Sequence, residues 1–217
     1  MRTTQFITSI KKQGQEKISF IILGAACEYK QKHLGPKSLL KFNNQLLIHY
    51  QVETIKKQYN DVEIIFVSGF EHNKILKHKT NFRIVENTTY FDSGEFEQVR
   101  LALQNIESDN VFIVTDTTTN LNFNIEKRSK IYISNNAKEN PGCTSQKYVE
   151  HIAYGIQNNI TKGFFFCKTE LEMLKKYVIE NKEKKYKLFL FEIINDLISK
   201  GAKFKAEEVE YENFIIS

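Results

Sequence analysis

Residues Phe20 to Phe42 read FIILGAACEYKQKHLGPKSLLKF. With the two residues before it, the opening forms ISFIIL, Ile18 to Leu23, a short and nearly all-apolar run that fits a strand buried on both faces. A loop follows and leaves through Gly35-Pro36-Lys37. Phosphate-binding loops occupy this position between a buried strand and a helix. This loop, however, carries Cys27, Glu28 and Tyr29 where a phosphate cradle favours glycine, whose missing side chain lets backbone N–H groups approach an anion. Three readings are open: a nucleotide site, a worn copy of one, or an ordinary strand-to-helix connection.

Outward from this stretch, strands and helices alternate. Ile48, Val52, Ile55 and Tyr59 recur at helical spacing and predict a helix from about Leu46 to Tyr59. VEIIFVS, Val62 to Ser68, and FRIVEN, Phe82 to Asn87, read as further strands. In SGEFEQVRLALQNI, Phe96, Val99, Leu103 and Ile106 share one helical face, with Ser93 as the expected N-cap. NVFIVTD, Asn110 to Asp116, is a strand ending on a carboxylate, and KIYISNN, Lys130 to Asn136, another. This rhythm implies βαβ units and a largely parallel sheet with helices on both faces.

The remainder is less regular. Asn135 to Lys147 reads as a polar loop, and GFFFCKT, Gly163 to Thr169, as a strand. Leu171, Leu174 and Val178 mark one helix; Leu190, Ile194 and Leu197 mark another, stopped at Gly201. KFKAEEVEY and ENFIIS close the chain as expected strands. The expected architecture is a three-layer α/β/α, Rossmann-like domain over residues 1–217 with a small irregular C-terminal lobe. Residues 18–136 form its nucleotide-binding half, and 137–217 an acceptor or assembly half.

Composition narrows the function classes. The chain has 217 residues and 41% hydrophobic content, enough for a substantial core. No apolar run approaches the ~20 residues of a membrane span, and MRTTQFITSIKKQGQEK lacks a signal-peptide pattern. A cytoplasmic protein with no membrane partner is expected. The three cysteines, Cys27, Cys143 and Cys167, have neither disulfide nor zinc spacing and are expected to be thiols. The net charge of +5 comes with glutamates mixed among the lysines, which describes a solvated helix face better than a nucleic-acid stripe. The two prolines, with many Lys, Asn and Ile residues, point to an AT-rich genome, bacterial or phage.

In an open parallel sheet, ligands bind beyond the carboxyl ends of the strands. The Gly24-to-Lys37 loop, Asn87 and Asp116 all fall there. The order of IILGAACEYKQKHLGPKSLLKFNNQLLIHYQVETI, EIIFVSGFEHNKI, RIVENTTYFDSGEFEQVRLAL and NVFIVTD resembles the GT-A-like nucleotidyltransferases. That family includes sugar-1-phosphate nucleotidylyltransferases and phosphocholine cytidylyltransferases.

The resemblance implies transfer of NMP from an NTP, CTP among the candidates, to a small phosphorylated acceptor of the sugar-phosphate or phosphocholine type, with Mg²⁺ as cofactor. Backbone groups of Leu23, Gly24, Ala25 and Ala26, together with Asn87, would bind the nucleotide. Lys37 and Lys30 would be catalytic cations, and Asp116 would hold the metal. The family loop is Ala-Ala-Gly-x-Gly-x-Arg. Gly24 here matches its first alanine, Ala26 and Glu28 its two glycines, and Lys30 its arginine.

Two unit charges ~4 Å apart interact with about 4 kcal/mol at an effective dielectric of 20, so Glu28 is an unfavourable neighbour for a triphosphate. Where the family carries a second metal-binding aspartate, Glu210 and Glu212 are the carboxylates at hand. These departures keep an alternative open: a catalytically inactive protein of this fold serving as a binding or assembly module, homo-oligomeric or part of a phage. Asp116 and Asn87 can also be read as turn residues, and Lys37 as a solvent-facing lysine.

Overall fold

A computed structural model describes residues 17–27, 29–79, 81–123, 125–134, 141–156, 159–183 and 186–209. Strands β1 (Ile18–Gly24), β4 (Val62–Ser68), β5 (Arg83–Glu86) and β6 (Asn110–Thr115) pair in parallel. Between β1 and β4 come two 3₁₀ turns (Tyr29–Leu34 and Lys37–Leu39), a ribbon of β2 (Lys41–Phe42) and β3 (Gln45–Leu46), and helix α1 (Leu47–Gln58). A short helix, α2 (His72–Leu76), follows β4, and α3 (Glu95–Leu103) links β5 to β6.

The later part of the chain adds β7 (Lys130–Ser134), β8 (Gly142–Ser145), β9 (Val149–Ala153), β10 (Asn159–Phe166), α4 (Lys168–Glu180), α5 (Leu190–Ser199) and β11 (Lys205–Glu208). The main sheet runs β11-β7-β10-β6-β1-β4-β5, with β10 antiparallel to both neighbours and the β8–β9 hairpin hung from its start. The mixed, mostly parallel three-layer sandwich matches the sequence expectation.

Every residue of β1 is buried because it has a strand on each side and helices over each face. Alternation divides its side chains. Phe20 and Ile22 join α1 residues Ile48, Val52 and Ile55, while Ile21 and Leu23 join α3 residues Phe96, Val99 and Leu103. Helices α4 and α5 cover the α3 side through Leu171, Leu174, Ile193, Ile194 and Leu197. On the α1 side, the Phe112 ring centroid lies 4.5 Å from those of both Phe20 and Phe165 and 5.4 Å from that of Phe123. Tyr59, just past α1, donates its hydroxyl to the Phe123 carbonyl at 2.7 Å and accepts the Phe123 N–H at 3.2 Å. Burial pushes that phenol up to about 12.

The amino edge of the sheet is closed by a chain of side chains. Ser108 donates to Ser19 at 2.7 Å, Ser19 donates to Glu63 at 3.0 Å, and Arg83 pairs with Glu63 at 3.1 Å. A second guanidinium nitrogen of Arg83 donates to the Asn105 carbonyl at 2.6 Å. These residues lie at or just before the starts of β1, β4, β5 and β6, so the network fixes the relative heights of the four parallel strands.

Several local expectations are corrected. The α3 N-cap is Gly94, and the Ser93 hydroxyl instead accepts a hydrogen bond from Asn87 at 2.9 Å. The strand expected at 163–169 begins at Asn159 and ends at Phe166; Lys168 and Thr169 already belong to α4. Part of the expected 135–147 loop is β8, and residues 135–140, which include the end of the strand expected from Lys130, lie outside the described residues. The ENFIIS segment lies outside the described residues, as do Glu210 and Glu212. No disulfide joins the cysteines. No helix among the described residues is long and apolar enough to cross a membrane.

Candidate functional site

Strand order reverses at β1: β4 and β5 lie to one side and β6 to the other. Such a switch point splays the connections apart and leaves a crevice at the carboxyl edge. Asp116 follows β6 directly, and its N–H donates to the Leu23 carbonyl at 3.0 Å, which sets it beside Gly24. On the other flank, the Asn87 N–H donates to the Ser68 carbonyl at 2.7 Å. Leu23, Gly24, Ala25, Asn87 and Asp116, brought forward from distant parts of the sequence, therefore line one edge.

The turn carrying Asp116 is held from below by α1. The Thr118 N–H donates to the Thr115 carbonyl at 3.1 Å, and the Thr118 hydroxyl accepts the Thr115 N–H at 3.2 Å. Gln51, fully buried on α1, donates its carboxamide to the Thr115 carbonyl at 3.1 Å and the Thr118 carbonyl at 2.8 Å. Its Oε1 is buried with no hydrogen-bond partner. Gln51 thus fixes where Asp116 emerges.

The loop leaving β1 is also held from within. The Ala25 N–H donates to Oε1 of Gln98 on α3 at 3.1 Å, and the Ala25 carbonyl accepts the Phe70 N–H at 3.2 Å. Both polar groups of the Ala25 backbone are thus committed inside the protein, and Ala26 is the next, exposed residue. Gly24 has a packing reason to be glycine, since a Cβ there would lie 2.2 Å from the Phe66 ring. At Gly69 three segments meet: a Cβ would lie 2.5 Å from Tyr90 Cβ and 2.8 Å from the Ala25 carbonyl oxygen.

Asn87 shapes the arch from β5 to α3. Its Oδ1 accepts the Thr89 N–H at 3.1 Å and the Thr89 hydroxyl at 3.0 Å, while its Nδ2 donates to Ser93. Most of the carboxamide's hydrogen-bonding capacity is spent on the turn. Lys37 begins the second 3₁₀ turn behind the buried Pro36, and that turn is tied to α1 by the Leu47 N–H on the Leu40 carbonyl at 2.9 Å. Lys30 lies on the first 3₁₀ turn, its side chain outside what is described, and Glu28 lies outside the described residues.

Two further carboxylates border the edge. Glu71, in a left-handed conformation at φ 51°, pairs with Lys74 at 2.6 Å and keeps Oε2 buried without a hydrogen-bond partner near Gly35. Ser68 Oγ lies 2.6 Å from His72 Nδ1, and His72 Nε2 lies 3.7 Å from Glu86. This row has the order of a nucleophile, base and acid, but Ser68 is fully buried, so its physical effect is to tie the end of β4 to β5. Among the described residues no cluster of three or more His, Cys, Asp or Glu could hold a metal. A cleft of about 450 Å³ opens at the opposite, amino edge, where Lys17, Lys127 and Lys168 alternate with Glu107 and Asp109.

Sequence reasoning missed the roles of the two glutamines, and Gly69 reads from sequence only as the residue that closes the Val62–Ser68 strand. Gln51 falls between Ile48 and Ile55 on the apolar stripe of α1, and Gln98 adjoins Phe96 and Val99 on α3. A polar residue inside an apolar stripe was the available signal, because a buried amide must find partners.

No protein-family model and no curated protein sequence matches the chain. Solved structures do. CTP:phosphocholine cytidylyltransferase from Streptococcus pneumoniae superposes with a TM-score of 0.74 at 19% identity, over 89% of this chain and 90% of that one. The inositol-1-phosphate CTP transferase of T. maritima gives 0.67 at 15% identity, over 90% and 86%. The nucleoside-diphosphate-sugar pyrophosphorylase of Vibrio cholerae RC9 gives 0.66 at 16% identity, over 88% and 91%. The chain has the GT-A-like nucleotidyltransferase fold.

Proposed function

We propose that the carboxyl-edge crevice transfers a nucleotidyl group from an NTP, with CTP the first candidate, to a small phosphorylated acceptor of the phosphocholine or sugar-phosphate type. The observation that carries this reading is the hydrogen bond from the Asp116 N–H to the Leu23 carbonyl, which seats a carboxylate beside the β1 loop at the switch point. The likeness to nucleotidyltransferases across nine-tenths of the chain supports the same reading.

In this reaction an acceptor phosphate oxygen attacks the α-phosphorus of the NTP. The bond from the α-phosphorus to the bridging oxygen breaks, and its electron pair leaves with pyrophosphate. A phosphate monoester is already largely ionised at neutral pH, so no general base is required. The protein's tasks are positioning and neutralisation of charge. Ala26, exposed just beyond the committed Ala25, is the loop residue placed to meet a phosphate, and Lys37 and Lys30 supply cations. Mg²⁺ is commonly bound through one or two carboxylates together with substrate phosphates and water, so Asp116 would hold it jointly with the substrate. When bound, the ion would neutralise charge on the departing pyrophosphate.

A second reading, a non-catalytic module of this fold, draws on one observation: the Ala25 amide is already held by Gln98. Purified protein incubated with Mg²⁺, each NTP and a panel of phosphorylated acceptors separates the two. Pyrophosphate release that disappears in Asp116→Asn supports transfer. Its absence from every pairing leaves the module.

A further inference from the structure

Phe91 is 71% exposed and belongs to neither core cluster. It stands at the crown of the β5–α3 arch, whose shape is fixed by the three side-chain hydrogen bonds of Asn87 and by the Asp92 and Ser93 N–H groups on the Thr89 carbonyl, each at 3.0 Å. The neighbouring Tyr90 points the other way, onto Gly69, with its ring centroid 6.4 Å from that of Phe70. Gly69 in turn abuts the Ala25 carbonyl, so the arch stands directly against the β1 loop. From the first 3₁₀ turn of that loop, Lys32 reaches across and sets its ammonium 5.1 Å from the centroid of the Phe91 ring. The ring is thus steadied from one side, while most of its surface stays open to solvent at the rim of the crevice.

We propose that Phe91 is the stacking platform for the nucleobase of the bound NTP. This rests on the nucleotidyl-transfer reading above and adds to it the group that receives the base. A flat, exposed ring beside a phosphate-facing loop offers what every nucleobase shares, a π-face. Stacking on such a ring is therefore worth affinity for all bases alike. Choice among bases must come from hydrogen bonds elsewhere. Lys32 strengthens the platform as a cation held over the ring.

The chain contains no tryptophan, so Phe91→Trp introduces a sole indole reporter. Its emission is followed while CTP, ATP or inorganic tripolyphosphate is added with Mg²⁺, and affinities are measured in parallel by calorimetry on wild type, Phe91→Ala and Phe91→Tyr. The expected result is quenching by both nucleotides and none by tripolyphosphate. Phe91→Ala should bind both nucleotides about tenfold more weakly while keeping its affinity for tripolyphosphate, and Phe91→Tyr should restore binding. Unchanged nucleotide affinity in Phe91→Ala, or a silent indole while CTP binds, overturns the platform and leaves nucleotidyl transfer standing. If wild type binds tripolyphosphate but gains nothing from a base, the platform alone falls. If no nucleotide and no tripolyphosphate binds wild type, both readings fall together.

Discussion

The two edges of the parallel sheet are built on opposite principles. At the amino edge, Ser108, Ser19, Glu63 and Arg83 hand hydrogen bonds from one to the next. The carboxyl side keeps polar atoms buried without partners: Gln51 Oε1 under the Asp116 turn and Glu71 Oε2 beside Gly35. An unmet buried acceptor typically weakens a fold by about 1–3 kcal/mol, so a stable protein keeps few of them. Gln51 and Glu71 place part of that cost beside the crevice, while the linked side chains of the amino edge satisfy one another.

Substitutions at the two edges should therefore separate activity from stability. The largest effect is expected from Asp116→Asn. Under the proposed function this substitution would remove a metal ligand and several kcal/mol of charge stabilisation, so pyrophosphate release should fall about 10³-fold, with a melting temperature close to wild type. A large drop in melting temperature with activity retained would reverse the roles assigned to the edges.

Gly69→Ala comes next. Its new Cβ would meet Tyr90 and the Ala25 carbonyl below 3 Å. Overpacking of this kind destabilises by about 1–3 kcal/mol, read as a melting point lower by roughly 2–12 °C, and here nucleotide binding should fall with it.

Tyr59 supplies a pH test below the sheet. Its phenol is raised to about 12 from an ordinary 10.0, so the folded state holds the proton more tightly than the unfolded one. The stability this gives is fully present below pH 10 and is lost as pH rises through about 12, an effect of a few kcal/mol at most. Urea titrations at pH 9 and above should show a steeper loss in wild type than in Tyr59→Phe. Parallel curves would mean the phenol is not what titrates. The smallest effect is expected for Ser19→Ala at the amino edge. It should lower stability by about 1 kcal/mol in denaturant titrations and leave pyrophosphate release unchanged.

What could be read from sequence follows the same division. The parallel strands were legible because burial on both faces forces an uninterrupted apolar run, as in ISFIIL. The stripes of α1 and α3 were legible because each has one apolar face. The β8–β9 hairpin escaped because GCTS and VEHIA bury only about half their residues and are too short to show a period. The environment of Lys130 escaped for another reason. It is 1% exposed, and the carboxylates that make burial tolerable, Glu126 and Glu207, come from both near and far in the chain. At the crevice, Asp116 was legible as a strand-ending carboxylate. The grip of Gln98 on the Ala25 amide was not, since no local pattern joins residues 73 positions apart.

The junction at Gly69 also bears on inheritance. A Cβ at Gly69 would meet the Cβ of Tyr90 and the carbonyl oxygen of Ala25, atoms that almost every residue at those two positions would keep. Among descendants of this sequence Gly69 should therefore stay glycine even where its two neighbours change.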